Sequence, residues 1–256
     1  MAGSAAPDLA YVTRGWWGPA GTPMWFDGHR LQNVLVVAAA ASLLAVAIRR
    51  VVLPVLPLAL PEMGRLHLHD FRSLAFVSHR WWVTFTSAIV GIATHLLLDA
   101  FTHEDGSGVG LFGGVLSARL LVLGGRSVHG YTVLQYGGSL VMAGYVCWCV
   151  VRFGRERSFF DPKVPAARLS RAAALLFWVI VGVSSVIAVA YGSTRFGSLP
   201  AQREIENKSV ALISTCWVAF VGLMLASLAV VDGVIDGVVE EDRGIDEIAD
   251  DRTAPG

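Results

Sequence analysis

The sequence predicts an all-α fold, a polytopic integral membrane helix bundle of about five transmembrane helices. Three observations predict it. Of 256 residues, 54% are hydrophobic and 16% charged, whereas soluble domains carry about 25% charged residues. Five apolar runs approach or exceed the roughly 20 residues that cross a hydrocarbon core. Lys and Arg gather between alternate pairs of those runs, as the positive-inside rule requires of a multi-spanning chain.

Taken in order, the chain opens on "MAGSAAPDLAYVTRGWWGPAG". No basic stretch leads there into an apolar core, so the segment reads as a Pro/Gly/Trp-rich surface piece and not as a cleavable signal. The first span covers 31–48 and closes on Arg49 and Arg50; Asp27 is placed to cap it. The second covers 81–101 and starts on the interfacial pair Trp81 and Trp82. Residues 109–125 are apolar but broken by Gly and Arg119, which suits a re-entrant or interfacial piece better than a span. The third, fourth and fifth spans cover 131–151, 172–191 and 210–231. Within the third, Gly137 and Gly138 suggest close helix packing. From Glu240 the chain is acidic with little apolar content, and reads as a disordered tail. The expected organisation is a membrane domain over 1–155, two further spans of the same bundle over 156–239, and the tail over 240–256.

Net charge is zero and no basic cluster stands out, so nucleic acid is not an expected partner; membrane lipid is. Cys147, Cys149 and Cys216 all fall in apolar runs, which indicates neither a disulfide framework nor a zinc knuckle. The segment between spans one and two carries Arg49, Arg50, Arg65, Arg72 and Arg80. That between spans three and four carries Arg152, Arg155, Arg157, Lys163, Arg168 and Arg171. Both are expected in the cytoplasm, which puts the N-terminus outside and the C-terminus inside.

Span two contains "GIATHLLLDAFTH", residues 91–103. Ionisable groups are costly in hydrocarbon, and a helix that keeps several directs them at water, a partner or an ion. His95 and Asp99 are four apart and share one helix face. With the expected topology they lie in the last turns of span two, at the outer face, together with His103. His29 and Asp8 precede span one and reach the same level. Imidazole and carboxylate ligands together suit zinc, manganese or iron. The spacing alone is weak, since seven His and twelve Asp in this length give about 0.3 such matches by chance. The alternative is a helix-packing hydrogen bond from His95 to Asp99. Asp8 could equally cap a turn, and His29 or His103 could sit in interfacial water. Gln135, early in span three, is a candidate outer partner of a polar site. His67, His69 and Asp70 suggest a second cluster, but topology puts them with His79 on the cytoplasmic side, where an interfacial loop is the better reading.

The stretches "GSAAPDLAYV" from residue 3, "HRLQ" from 29, "RWWVTFTSAIVGIATHLLLDAFTHEDG" from 80 and "YTVLQYGGSL" from 131 together resemble a bacterial multi-pass membrane family, domain of unknown function 4184. In its Pro-Asp, His and His-x-x-x-Asp elements that family is similar to inner-membrane metal-dependent hydrolases, and more distantly to zinc-dependent phospholipases C. The resemblance implies that Asp8, His29, His95 and Asp99 are the metal ligands, with His103 nearby. It also implies a further element upstream, an apolar helix after a "FTLSH"-like stretch whose histidine would add a ligand. Met1 sits inside the last part of that element. Either the start is misassigned or one ligand is missing; an added inside-to-outside helix would deliver Asp8 to the outer face and put both termini in the cytoplasm. The expected function is a membrane-embedded, divalent-metal-dependent hydrolase, with zinc or manganese, acting on a phosphoester of lipid or cell envelope at the outer face of the inner membrane. The alternative is a small transporter or envelope scaffold whose His and Asp residues relay protons or pack helices.

Overall fold

A computed structural model describes residues 2–8, 28–123, 126–197, 211–232 and 234. A single turn, α1 (Ala2–Ala5), opens it. The 3₁₀ turn Leu31–Asn33 leads into α2 (Val34–Ala47), which widens into a π turn at Ile48–Val52. After α3 (Leu56–Ala59) and the 3₁₀ segment Leu68–Ala75 come α4 (Trp81–Thr102) and two short helices, α5 (Ser107–Leu111) and α6 (Gly113–Leu116). Strands β1 (Arg119–Leu123) and β2 (Arg126–His129) precede the long α7 (Gly130–Glu156) and α8 (Arg171–Gly197). Helix α9 (Ala211–Asp232) follows.

Five of these are long and apolar enough to cross a membrane: Leu31–Val52, Trp81–Thr102, Gly130–Glu156, Arg171–Thr194 and Ala211–Asp232. The chain is an all-α polytopic membrane protein, and the spans begin within a residue of the positions the apolar runs predict. The first runs on past Arg49 and Arg50 through the π turn. It stops just before Pro54, which cannot continue a helix, and Pro57 falls in the first turn of α3, where proline is tolerated. Asp27, the aromatic segment at 9–27 and the tail from Glu240 lie outside the described residues.

Residues 109–125, read as a re-entrant or interfacial piece, are not among the helices long enough to span. Their described part forms helical turns and the first strand of an antiparallel hairpin, in which Leu121, Val122 and Leu123 pair with Val128, Ser127 and Arg126. Two residues, Gly124 and Gly125, separate the last pair, the length and composition that tight hairpins favour. Gly137 and Gly138 depart from expectation. A Cβ built on either meets nothing within 4 Å, so neither marks a close helix contact among the described residues.

The chain divides into two compact units. The first comprises Met1–Ala10, Gly15–Leu43 and Arg80–Phe153. Its core is small: Ala6, Val37, Ala38, Ala41, Ala88 and Ile92, with Val34, Phe85, Ile89 and Leu96 packed around it. Alanine on facing helices lets backbones approach closely, which is how membrane helices associate without a hydrophobic driving force.

The second unit comprises Tyr11–Arg14, Leu44–His79 and Gly154–Gly256. Val55, Ala59, Phe177, Ala226, Val230 and Val234 form its core. Helices α8 and α9 meet at small residues, since a Cβ on Gly192 would strike Thr215 and one on Gly222 would strike Ser184. Trp178 Nε1 donates to the Ala59 carbonyl at 3.1 Å. Past the end of α7, Arg157 takes a left-handed conformation (φ 52°) and binds the Asp70 carboxylate through two nitrogens, at 2.9 and 3.1 Å.

Candidate metal centre

Three close backbone approaches in the first unit assemble a cluster of imidazoles and carboxylates. Helix α1 lies against α4, and a Cβ on Gly3 would collide with the Ala88 carbonyl. From the α4 side, a Cβ on Gly91 would stand 2.9 Å from the Ser4 nitrogen. Downstream of α1, Pro7 is fully buried, and a Cβ on Gly28 would collide with its Cα. Glycine at these positions brings residue 8 beside residue 29 and both beside the last turns of α4.

The result joins four of the residues named from the sequence. His29 Nε2 lies 3.5 Å from Asp8 Oδ1 and 3.3 Å from Asp99 Oδ2. His95 Nε2 lies 3.6 Å from Asp8 Oδ1 and 3.0 Å from Asp99 Oδ2. Asp8, His29 and His95 offer ligand atoms that all fall within 4.8 Å of one another, and Asp99 adds an oxygen beside both imidazoles. Side chains at His95 and Asp99 are 15% and 23% exposed, so the cluster is sheltered but reachable.

This donor set fits a divalent ion. Ligands about 2.0–2.2 Å from one tetrahedral ion stand about 3.3–3.6 Å apart; the four imidazole–carboxylate distances come within a few tenths of an ångström of that range, while the donors of Asp8, His29 and His95 together spread over up to 4.8 Å. His95 Nε2 supplies an independent sign. It is enclosed and makes no regular hydrogen bond, its nearest polar neighbour being Asp99 Oδ2 at 3.0 Å. A buried ring nitrogen left unsatisfied costs about 1–3 kcal/mol, a cost that an ion at its lone pair would remove. His29 reports the same field. The Asp8 carboxylate, then that of Asp99, push its imidazole up to about 9.

His103 stands just outside. Its Nδ1 is 3.6 Å from Asp99 Oδ1, on the carboxylate oxygen turned away from the two imidazoles, and its side chain is 50% exposed. After α4 the chain folds back on the helix end, where a Cβ on Gly106 would strike the Ala100 carbonyl and one on Gly108 the Phe101 ring. Gln135 is not drawn in; among the described residues no hydrogen bond joins its side chain to the cluster, and its carbonyl accepts from Ser139 at 2.7 Å.

A family model, "Domain of unknown function (DUF4184)", matches residues 1–231. The chain belongs to the DUF4184 family. In this DUF4184 chain the matched region holds all four cluster residues and all five spans except for the final residue of the last. No curated protein and no solved structure matches the chain.

The histidines of the second unit are occupied differently. His67 Nδ1 and His69 Nδ1 face the two oxygens of Glu62, at 3.5 and 3.3 Å, and Asp70 is held by Arg157. The sequence pointed to none of the cluster's spacers, Gly3, Gly28 and Gly91. Their only signal is small size beside chemically active neighbours.

Proposed function

We propose that this DUF4184 chain is a membrane-embedded hydrolase, in which Asp8, His29, His95 and Asp99 hold a divalent ion, zinc or manganese, and the substrate is a phosphoester of a lipid or of the cell envelope. One observation carries the reading: two carboxylates and two imidazole Nε2 atoms converge from three separate stretches at ligand spacing, with one of those nitrogens unsatisfied. An ion there would lower the pKa of a bound water and polarise a phosphoryl oxygen. The chain's own residues then have distinct work. The two carboxylates balance the ion's charge, His95 and Asp99 fix its position on one rigid helix face, and His103 orients Asp99 from outside. The distribution of Lys and Arg supports a site at the extracytoplasmic end of its spans, and the family resemblance suggests the inner membrane of a bacterium.

A second reading has its own support. Without an ion the same four groups stand within ion-pair distance of one another, which could pack the N-terminal segment onto α4 in a transporter or scaffold. Metal analysis of the purified full-length protein separates the two. Wild type is expected to retain about one zinc or manganese per chain, and the double variant His95→Ala, Asp99→Ala at least about tenfold less. The ion must displace the proton that Asp8 and Asp99 stabilise on His29, so uptake strengthens as pH rises toward 9 and is weakest in acid. Equal, negligible metal in both proteins at every pH would remove the hydrolase and leave the packing network.

A further inference from the structure

The second unit contains a cleft of about 830 Å³, lined from Leu58 to Ser73 on one side and Phe159 to Leu169 on the other. Arg72, on the 3₁₀ segment, lines it and is only 6% exposed. One of its terminal nitrogens donates to the Pro165 carbonyl at 2.7 Å, and its guanidinium lies 5.0 Å from the centre of the Phe76 ring. Among the described residues no carboxylate pairs with it, and its Nε is enclosed without a hydrogen-bond partner. A guanidinium does not escape burial by losing its proton, so its charge calls for an anion.

The acids around the cleft are committed elsewhere. Asp70 is bound at both oxygens by Arg157, Glu62 faces His67 and His69, and Asp161 Oδ1 accepts from the Lys163 backbone at 2.9 Å. Arg168, exposed, is a second cation on the lining. Burial lowers the pKa of Arg72, which agrees with a cation that lacks its counter-charge. The planar guanidinium, with its fork of donors, matches a phosphate oxygen pair better than any other common biological anion except carboxylate. The cleft falls within the volume range of sites for small ligands.

We propose that this cleft binds a phosphate-type anion, with Arg72 as the enclosed cation and Arg168 as the exposed one. The inference is independent of the metal centre and stands or falls without it. The phosphate could belong to an anionic lipid headgroup or to a soluble phosphate compound; basic pockets beside membrane helices are a known mode of headgroup binding.

The test uses the full-length protein in nanodiscs and follows thermal unfolding. One arm adds inorganic phosphate to discs of phosphatidylcholine alone; the other replaces part of the phosphatidylcholine with phosphatidylglycerol. Stabilisation in the first arm identifies a soluble phosphate ligand, and stabilisation confined to the second identifies the headgroup. Either supports the site when Arg72→Gln and Arg168→Gln each weaken the response, Arg72→Gln by at least about tenfold in the concentration required. Absence of any response in wild type, or responses undiminished in both variants, overturns it. Should Arg72→Gln fail to fold, Arg168→Gln decides alone: an unchanged response there overturns the site, since this side chain is exposed and its loss leaves the packing intact.

Discussion

At the scale of single residues, Asp99 is the hinge of the first unit's chemistry. One carboxylate oxygen faces the imidazoles of His29 and His95, and the other faces His103. His103 Nδ1 stands 3.6 Å from Asp99, close enough for charge interaction though not for a hydrogen bond, and the groups around metal-ligating residues typically contribute about 10–100-fold to metal affinity. His103→Ala is therefore expected to weaken metal retention by that order, read by competition with a chelator. The fold should survive, because the side chain is half exposed. Unaltered retention would show that His103 merely sits in interfacial water. The residue types were legible in the sequence because ionisable groups in an apolar helix stand out against their surroundings. Their partnership was not, since helical spacing relates His95 only to Asp99 and nothing local relates either to residues 8 and 29.

At the scale of elements, the cluster depends on how closely α1 and the turn at residue 28 approach their neighbours. No rotamer relieves a Cβ on Gly28, because the atom it strikes is backbone. Gly28→Ala is expected to destabilise the protein by about 1–3 kcal/mol and to reduce metal binding together with it. Gly138→Ala supplies the contrast. Open space surrounds that position, and replacing a helical glycine there should leave thermal stability within about 1 kcal/mol of wild type and metal binding unchanged. If both variants behave alike, close approach at residue 28 is not what assembles the site. The spans themselves were readable because hydrocarbon thickness fixes helix length, and apolar run length reports it directly. The β1–β2 hairpin was less readable. Its strands are only five and four residues long, the first almost continuously apolar and the second mostly polar, so neither showed a clear alternation and only the Gly-Gly pair marked the turn.

At the scale of the whole molecule, five candidate spans among the described residues, an odd number, place the segments flanking the first and last on opposite sides of a membrane, and the basic segments predict which side is which. A fluorescent protein fused to the C-terminus is expected to be bright and an alkaline phosphatase fused there inactive, whereas phosphatase fused after Arg203 should be active. The reverse pattern would move the Asp8, His29, His95 and Asp99 cluster to the cytoplasmic side and exclude an envelope substrate. Composition and hydropathy by themselves determined that this is a membrane protein, which segments are long and apolar enough to cross, and which residue types are out of place in them. These properties follow from transfer of each segment between water and hydrocarbon, a local quantity that needs no knowledge of neighbours. Only the tertiary structure decided that Asp8, His29, His95 and Asp99 meet, that His67 and His69 turn to Glu62, and that Arg72 is enclosed without a carboxylate. Such pairings are set by backbones packing at glycine and alanine contacts far apart in sequence, and a hydropathy pattern has no term for them.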